Sequence, residues 1–367
     1  MITGVIQTQI KRLRTLIPPG EEFRKYVAHT IDEQIASVTS NAQMGIVAPS
    51  VLSKTQLLAS ARMAAEMIET PDMLAAKPEG IVDLGVIEWL LRPALPLKDD
   101  IFDPVESGMW NQLKTDAIRP LSSAVCRLDI SINESNPIHV GTGFVAGKDS
   151  KKRFVIVTNA HVVEEVLRIG WPANGHIVFG CDFCRFSVEA GGELHALAPE
   201  YELHPTYDLA LLHLPNEHLQ NCDVLNSLTI ASHSPEQVIG SKIGVIGHPA
   251  FDSRLDPFPK FFGFGNEFGI KRFSPGFVQA LDKRIWRGNA VEIFLHDATT
   301  LSGSSGSCIL DLETKTVVGV HFGGWPLHKR ILGTPNGDVL AQLFETNGAV
   351  PMWRLRNDPL CSNLSFV

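Results

Sequence analysis

Apolar positions recur at two different periods along this chain, and the period changes near residue 119. Before it, Ile6, Ile10, Leu13 and Ile17 repeat at helical spacing until Pro18-Pro19-Gly20 stops the run, which marks a helix with one buried stripe. Phe23, Val27, Ile31 and Ile35 repeat the pattern. A third helix is predicted from Ser53-x-x-Gln56, with Leu57, Ala61, Ala64 and Ile68 on one face before Pro71. Cap serine and following glutamine can satisfy each other's backbone amides there. Gly80 to Leu91 and Pro104 to Lys114 complete the helical set. From Leu121 the runs become short, β-type and bounded by Gly, Pro, Asn and Asp, the punctuation of strands. Strands are predicted at Ala124–Ile132, Gly143–Ala146, Phe154–Thr158, His176–Phe179, Phe186–Val188 and Leu209–Leu214. A second group follows at Leu228–Ala231, Ile243–Ile246, Gly276–Leu281, Ala290–Leu295, Cys308–Leu310 and Val317–His321. Asp338–Glu345 reads as a closing helix. The expected organisation is a helical domain over 1–118, an all-β domain over 119–350 in two halves (119–225 and 226–350), and a tail over 351–367.

Three breaks in the β region carry chemistry. Gly303-Ser304-Ser305-Gly306 sets a serine between glycines, so that Ser305 would be exposed on a tight turn with the backbone N–H groups of Gly303 and Ser305 converging on one point. Acyl transfer needs that arrangement, a nucleophile beside donors aimed where negative charge develops. By itself such a turn is ordinary, since serine and glycine are common turn residues. Two other residues supply partners. His161 ends the apolar run Phe154–Thr158, and Asp208 heads the run Leu209–Leu214. Together they give a nucleophile, a base and a carboxylate to orient the base. Asp182 and Asp223 are rival carboxylates, but neither heads a comparable run.

Gly141-Thr142-Gly143-Phe144-Val145, Thr158-Asn159-Ala160-His161-Val162-Val163, Asp208-Leu209-Ala210-Leu211-Leu212, Ile243-Gly244-Val245-Ile246-Gly247-His248-Pro249 and Gly303-Ser304-Ser305-Gly306-Ser307 occur in that order. This series resembles the trypsin-like peptidase family, in its bacterial branch of HtrA-type proteases and glutamyl endopeptidases. The resemblance implies a chymotrypsin-like double β-barrel, here behind an N-terminal α-helical domain, working as a serine endopeptidase. His161, Asp208 and Ser305 would be its triad, with Gly303 and Ser305 as oxyanion donors. Val318-Gly319-Val320-His321-Phe322-Gly323-Gly324 resembles the pocket segment of glutamyl endopeptidases, and Thr300 stands where those enzymes have a threonine. Thr300, His321 and Gly323 would then bind substrate, with cleavage after Glu or Asp and Gln as the runner-up. Imidazole N–H and hydroxyl can both donate to a carboxylate or amide oxygen. The family's pocket also recruits a processed N-terminal amine, whereas in this sequence about 120 residues stand ahead of the barrel. The rival function is an adaptor that keeps the fold for protein binding.

Composition narrows the partners. A net charge of −8 disfavours nucleic acid, which asks for clustered Lys and Arg. The most apolar stretch, Ile81 to Leu97, is interrupted by Asp83, Glu88, Arg92 and two prolines, so no membrane span is expected. The first residues lack the charge-then-apolar order of a secretory signal. Six cysteines in 367 residues do not make a disulfide framework. Cys181-x-x-Cys184 has no second pair at ligand spacing, and Cys222 is isolated. No metal and no cofactor are expected, and the compartment expected is the cytoplasm. The partners expected are protein substrates, with a regulatory protein engaging residues 1–118. The aromatic stretch 251–275, with Phe258, Phe261, Phe262, Phe264, Phe268 and Phe273, reads as a loop packed on the second half, with a flap over the cleft or a dock for the helical domain as the alternative. The other histidines, His248 and His296 among them, read as surface or packed residues.

Overall fold

In the computed structural model, the residues described are 115–133, 135–183, 193–215, 227–235, 238–250, 267–326 and 345–367. Ahead of these it describes 24–32, 49–68, 90–97, 99–101, 110 and scattered positions. The predicted strand Phe186–Val188, the helix at 104–114 apart from Trp110, the closing helix at 338–344 and the aromatic stretch at 251–266 lie outside the described residues.

The helical expectation ahead of the β region holds where it can be followed. Residues 24–32 are helical, and α1 covers Pro49–Glu66. The stripe residues Ile10, Leu13, Val27, Ile31, Ala61, Ala64 and Ile68 are all buried, the burial that their periodicity anticipates. A second helix, α2 (Thr115–Ser122), leads into the sheets.

Among the described residues, fourteen strands form two antiparallel, curled sheets of seven. In the first, the order is β6-β5-β2-β3-β4-β8-β7. Its strands are β2 (Val125–Ile132), β3 (Ile138–Lys148), β4 (Phe154–Thr158), β5 (Ile177–Asp182), β6 (His195–Ala196), β7 (Tyr201–Leu203) and β8 (Ala210–Leu214). In the second, the order is β1-β10-β11-β14-β13-β12-β9, and a further β10–β9 pairing closes it into a barrel. Its strands are β1 (Leu95–Pro96), β9 (Lys242–Gly247), β10 (Arg272–Trp286), β11 (Asn289–His296), β12 (Cys308–Asp311), β13 (Val317–Pro326) and β14 (Glu345–Pro351). This is the chymotrypsin-like, two-sheet architecture that the sequence implied. The unbroken apolar runs of β4 and β8 pair along their full length, Phe154 with Leu214 through Thr158 with Ala210. Both are buried almost throughout, which is why they lack alternation. One core joins the sheets, with Phe144, Val157 and Leu211 from the first and Ile246, Cys308 and Val320 from the second.

Three features differ from expectation. Glu345 belongs to a strand, β14, that inserts between β11 and β13. The tail is not loose: Leu364 bridges Gly147, Phe366 bridges Ile230, and the Ser365 amide donates to Ala146. Leu228–Ala231 contributes only the bridging residue Ile230 between Val317 and Phe366. The β unit also draws on residues ahead of 119. β1 pairs with β10 at Phe273 and Arg272, while Leu95, Leu97, Trp110 and Ile118 lie in the common core. Lys271 is fully buried, and its ammonium donates to Asp100 Oδ1 (3.1 Å) and to the carbonyls of Ser122 (2.8 Å) and Phe183 (3.0 Å). A buried ammonium needs that many partners to offset its lost hydration.

Candidate active site

His161 sits in the first turn of α3 (Ala160–Arg168), directly after β4. The sequence marked this place only as a polar break. Asp208 precedes β8, the strand paired with β4, so the register of the two strands sets the residues side by side. The Asp208 carboxylate engages His161 twice. Oδ1 accepts the His161 backbone N–H at 3.0 Å, and Oδ2 lies 2.7 Å from Nδ1. Asn159 Nδ2 donates to the Asp208 carbonyl at 2.8 Å, pinning the loop. Asp208 is buried while the His161 side chain is 38% exposed, so the imidazole is held from behind and open in front. Nδ1–H donation to the carboxylate leaves Nε2 as the acceptor, the tautomer that a general base requires.

Ser305 lies in the turn between β11 and β12, and the first sheet grips that turn. The Thr142 N–H donates to Ser305 O at 2.8 Å, and Thr142 Oγ1 donates to Gly303 O at 2.8 Å. Thr142 Oγ1 in turn accepts the His248 N–H at 3.0 Å. Gly303 adopts φ +83°, and a Cβ there would stand 2.7 Å from His139 Cε1 and from the Ala250 Cβ. Glycine is therefore required on both counts. Within the turn, Ser304 N–H donates to Leu301 O, Gly306 N–H to His321 O, and Ser307 N–H to Ser304 O. Among the described residues the N–H groups of Gly303 and Ser305 have no hydrogen-bond partner. That pair was singled out from the sequence as converging donors. The Ser305 hydroxyl likewise makes no hydrogen bond among the described residues, so its bond to His161 Nε2 is not closed. Such contacts are commonly long until substrate seats.

Behind the turn, three strands assemble a polar cluster. His321 on β13 is buried, and its Nδ1 lies 3.2 Å from Nε2 of His296 on β11, with the rings edge to face at 5.3 Å. Burial, helped by the neighbouring His161 imidazole, pushes the His321 pKa down to about 3. Burial also holds His296 well below its ordinary value, with His321 and Arg92 acting in the same direction. Both rings are therefore neutral at pH 7. Thr300 Oγ1 donates to Asn347 Oδ1 at 2.8 Å, and Asn347 Nδ2 donates to the Ala298 carbonyl at 2.7 Å. Gly323, at φ +148°, interrupts the β13–β14 register just past His321, with open space where a Cβ would be. His321 and Thr300 thus border one cluster. At that lowered pKa His321 would meet a ligand as a neutral imidazole donor, not as an imidazolium.

Sequence reasoning missed His296, Asn347 and Arg284. The first was read as a packed histidine, which its burial supports, but its contact with His321 depends on β14 lying between β11 and β13. Arg284 on β10 lies over the Phe322 ring (5.4 Å to its guanidinium carbon), near enough for the Asp208 charge to act on it. Of the rival carboxylates, Asp182 is buried opposite Arg127 on β2, and Asp223 lies outside the described residues. Among the described residues no His, Cys, Asp and Glu cluster could hold a metal ion, and no helix is long and apolar enough to cross a membrane. Cys126, Cys181, Cys308 and Cys361 are buried free thiols.

Residues 141–320, which span His161, Asp208 and Ser305, match the trypsin-like peptidase domain family. The chain carries a trypsin-like peptidase domain. A probable serine protease of Lysobacter enzymogenes is 26% identical over 311 residues, covering 74% of this chain and 77% of that protein. Among solved structures, the active form of the Rv3671c protease from M. tuberculosis aligns at a TM-score of 0.43 and 17% identity, over 74% of this chain and 90% of that one. Its inactive form aligns at 0.39 and 18%, over 64% and 87%. The peptidase domain makes the chain a serine endopeptidase, a hydrolase acting on peptide bonds.

Proposed function

We propose that Ser305, His161 and Asp208 are the catalytic triad of this endopeptidase. The observation that carries the reading is the doubly hydrogen-bonded Asp208–His161 pair, together with the Thr142 bonds that hold the glycine-flanked Ser305 turn against the first sheet. Ser305 Oγ attacks the scissile carbonyl carbon while its proton passes to His161 Nε2. The resulting oxyanion meets the N–H groups of Gly303 and Ser305, and the imidazolium then gives its proton to the leaving amine as the C–N bond breaks. Water repeats the sequence to free the acyl group. Ser305→Ala or His161→Ala should each remove nearly all peptide cleavage without unfolding the chain, since nucleophile and base act as a unit. Asp208→Asn should be impaired by about 10⁴-fold through the wrong tautomer. Retention of most turnover by Ser305→Ala, with the wild type labelled elsewhere by a fluorophosphonate, would refute the assignment. A folded wild type that takes no label would instead favour the adaptor reading.

For the substrate, we propose a residue before the scissile bond whose side chain ends in a carboxyl, Glu or Asp. His296 Nε2–H donating to His321 Nδ1 leaves His321 Nε2–H free to donate to the ligand's oxygen. A second reading, glutamine, is favoured by a specific contact. Asn347 Nδ2 is committed to a carbonyl, so its Oδ1 must receive the Thr300 proton. Thr300 then offers lone pairs, which suit an amide N–H better than a carboxylate. A peptide set differing only at that position, with Glu, Asp, Gln, Leu and Lys, tests both. A preference for Leu or Lys would sink the pocket assignment and leave the triad standing. We further propose that the enzyme works in the cytoplasm, which four buried free thiols would suit, and that the helical residues ahead of the β unit engage a regulatory protein. Cell fractionation and affinity capture with and without residues 1–80 test these two points.

A further inference from the structure

The segment just ahead of the β unit reaches the back of the pocket. Arg92 is buried, and its Nη1 stands 4.0 Å from Oδ1 of the equally buried Asp297. Its carbonyl accepts the Thr299 hydroxyl at 2.7 Å. Two residues on, Ala94 is buried against Leu301 and Phe268, and its carbonyl accepts from Arg272 Nη1 at 2.6 Å. β1 then fixes the segment to β10. The stretch from His296 to Leu301 is thus held from two sides. Asp297, Thr299 and Leu301 meet the strap at 92–94, while His296, the Ala298 carbonyl and Thr300 meet His321 and Asn347.

We propose that Arg92 is a positioning residue for the specificity pocket. Coming from outside residues 141–320, it fixes the wall His296–Leu301 and, through it, the His296–His321 pair that presents a donor to the substrate side chain. The Asp297 carboxylate also accepts the Phe277 N–H at 2.6 Å and Gln279 Nε2 at 2.8 Å. Those neutral donors hold Asp297 on the β10 side, and the guanidinium balances its charge on the other. Loss of Arg92 leaves a buried carboxylate facing the strap without its guanidinium, and the wall is free to shift toward water or away from His321. Burial, with the positive charge beside it, also disfavours protonation of His296, so the ring that meets His321 is a neutral imidazole.

This rests on the pocket reading above, and the test separates the two. Full-length wild type and Arg92→Met are compared on peptides with Glu, Gln or Leu before the scissile bond, alongside the rate of fluorophosphonate labelling. Discrimination for Glu or Gln over Leu should fall about tenfold or more in Arg92→Met, mainly through KM, because a small displacement of positioning groups is costly. The labelling rate should stay unchanged, and Arg92→Lys should recover part of the discrimination. If Arg92→Met fails to fold by circular dichroism, Arg92→Met/Asp297→Asn, which removes both charges, takes its place with the same expected loss. Undiminished discrimination in the folded variant overturns this proposal alone. A wild type without preference for Glu or Gln overturns the pocket reading and this proposal with it.

Discussion

His321 is a residue whose chemistry is set entirely by where the fold puts it. A histidine on an apolar strand is ordinarily a packed residue satisfied by its neighbours. Here its ring is buried against His296, and its pKa is pushed from 6.5 down to about 3. The unfolded chain takes up this proton near pH 6.5 and the folded chain only near 3, so the unfolded state binds more protons between those values. Stability therefore falls as pH drops through that window and is fully present above it. His296 is shifted in the same direction and should add to the effect. Replacing His321 by Gln should make the loss of stability on acidification shallower, read as the difference in urea midpoint between about pH 7 and about pH 4.5. An unchanged difference would mean that His321 is not neutral and buried in solution.

At the scale of elements, the sequence announced what is local and hid what is contact between distant segments. The strands that lead to His161 and away from Asp208 were legible because both are buried almost throughout and therefore read as mainly apolar runs. Ser305 was legible because its turn needs glycine at φ +83° and +89° on either side. β14 was not, since Glu345–Pro351 has neither alternation nor a continuous apolar run and is held by its two neighbours. β1 was not either: two residues, one a proline, carry no periodicity. The contacts of His296, Asn347 and Arg92 follow from those two strands and were invisible for the same reason. Their consequence is testable by truncation. A chain beginning at Arg119 loses β1, Trp110 and the Asp100 carboxylate that faces the buried Lys271 ammonium. Removing one member of a buried pair costs about 3–5 kcal/mol, before any lost apolar burial. That chain should unfold at much lower urea or aggregate, whereas one beginning at Gly80 should match the full-length protein. Equal urea midpoints for the two would show that residues 80–118 do not stabilise the β unit.

Across the whole molecule, the proposed triad is divided: its base and carboxylate, His161 and Asp208, come from the first sheet, and its nucleophile Ser305 and the proposed pocket from the second. Catalysis then depends on the two halves keeping their relative position to within a fraction of an ångström. Thr142 is the residue that ties them most directly. From β3 it donates through its N–H to Ser305 O and through Oγ1 to Gly303 O, and it accepts from His248 N–H. Its own carbonyl accepts Thr158 Oγ1 at 2.7 Å, next to the strand end that leads to His161. Thr142→Val keeps the volume and the backbone bonds but removes both hydroxyl contacts. A carbonyl and an N–H lose their partner in a buried site, at about 1–3 kcal/mol of stability. The larger effect should be on the reaction. With the Ser305 turn free to move against His161, kcat should fall by about 10–100-fold. KM should change little, because His321, His296, Thr300 and Asn347 all belong to the second sheet and its loops and move with the serine. Steady-state kinetics with urea unfolding on the same preparation separate the two effects. A loss carried in KM with kcat preserved would show that Thr142 shapes the pocket and not the register of the two halves.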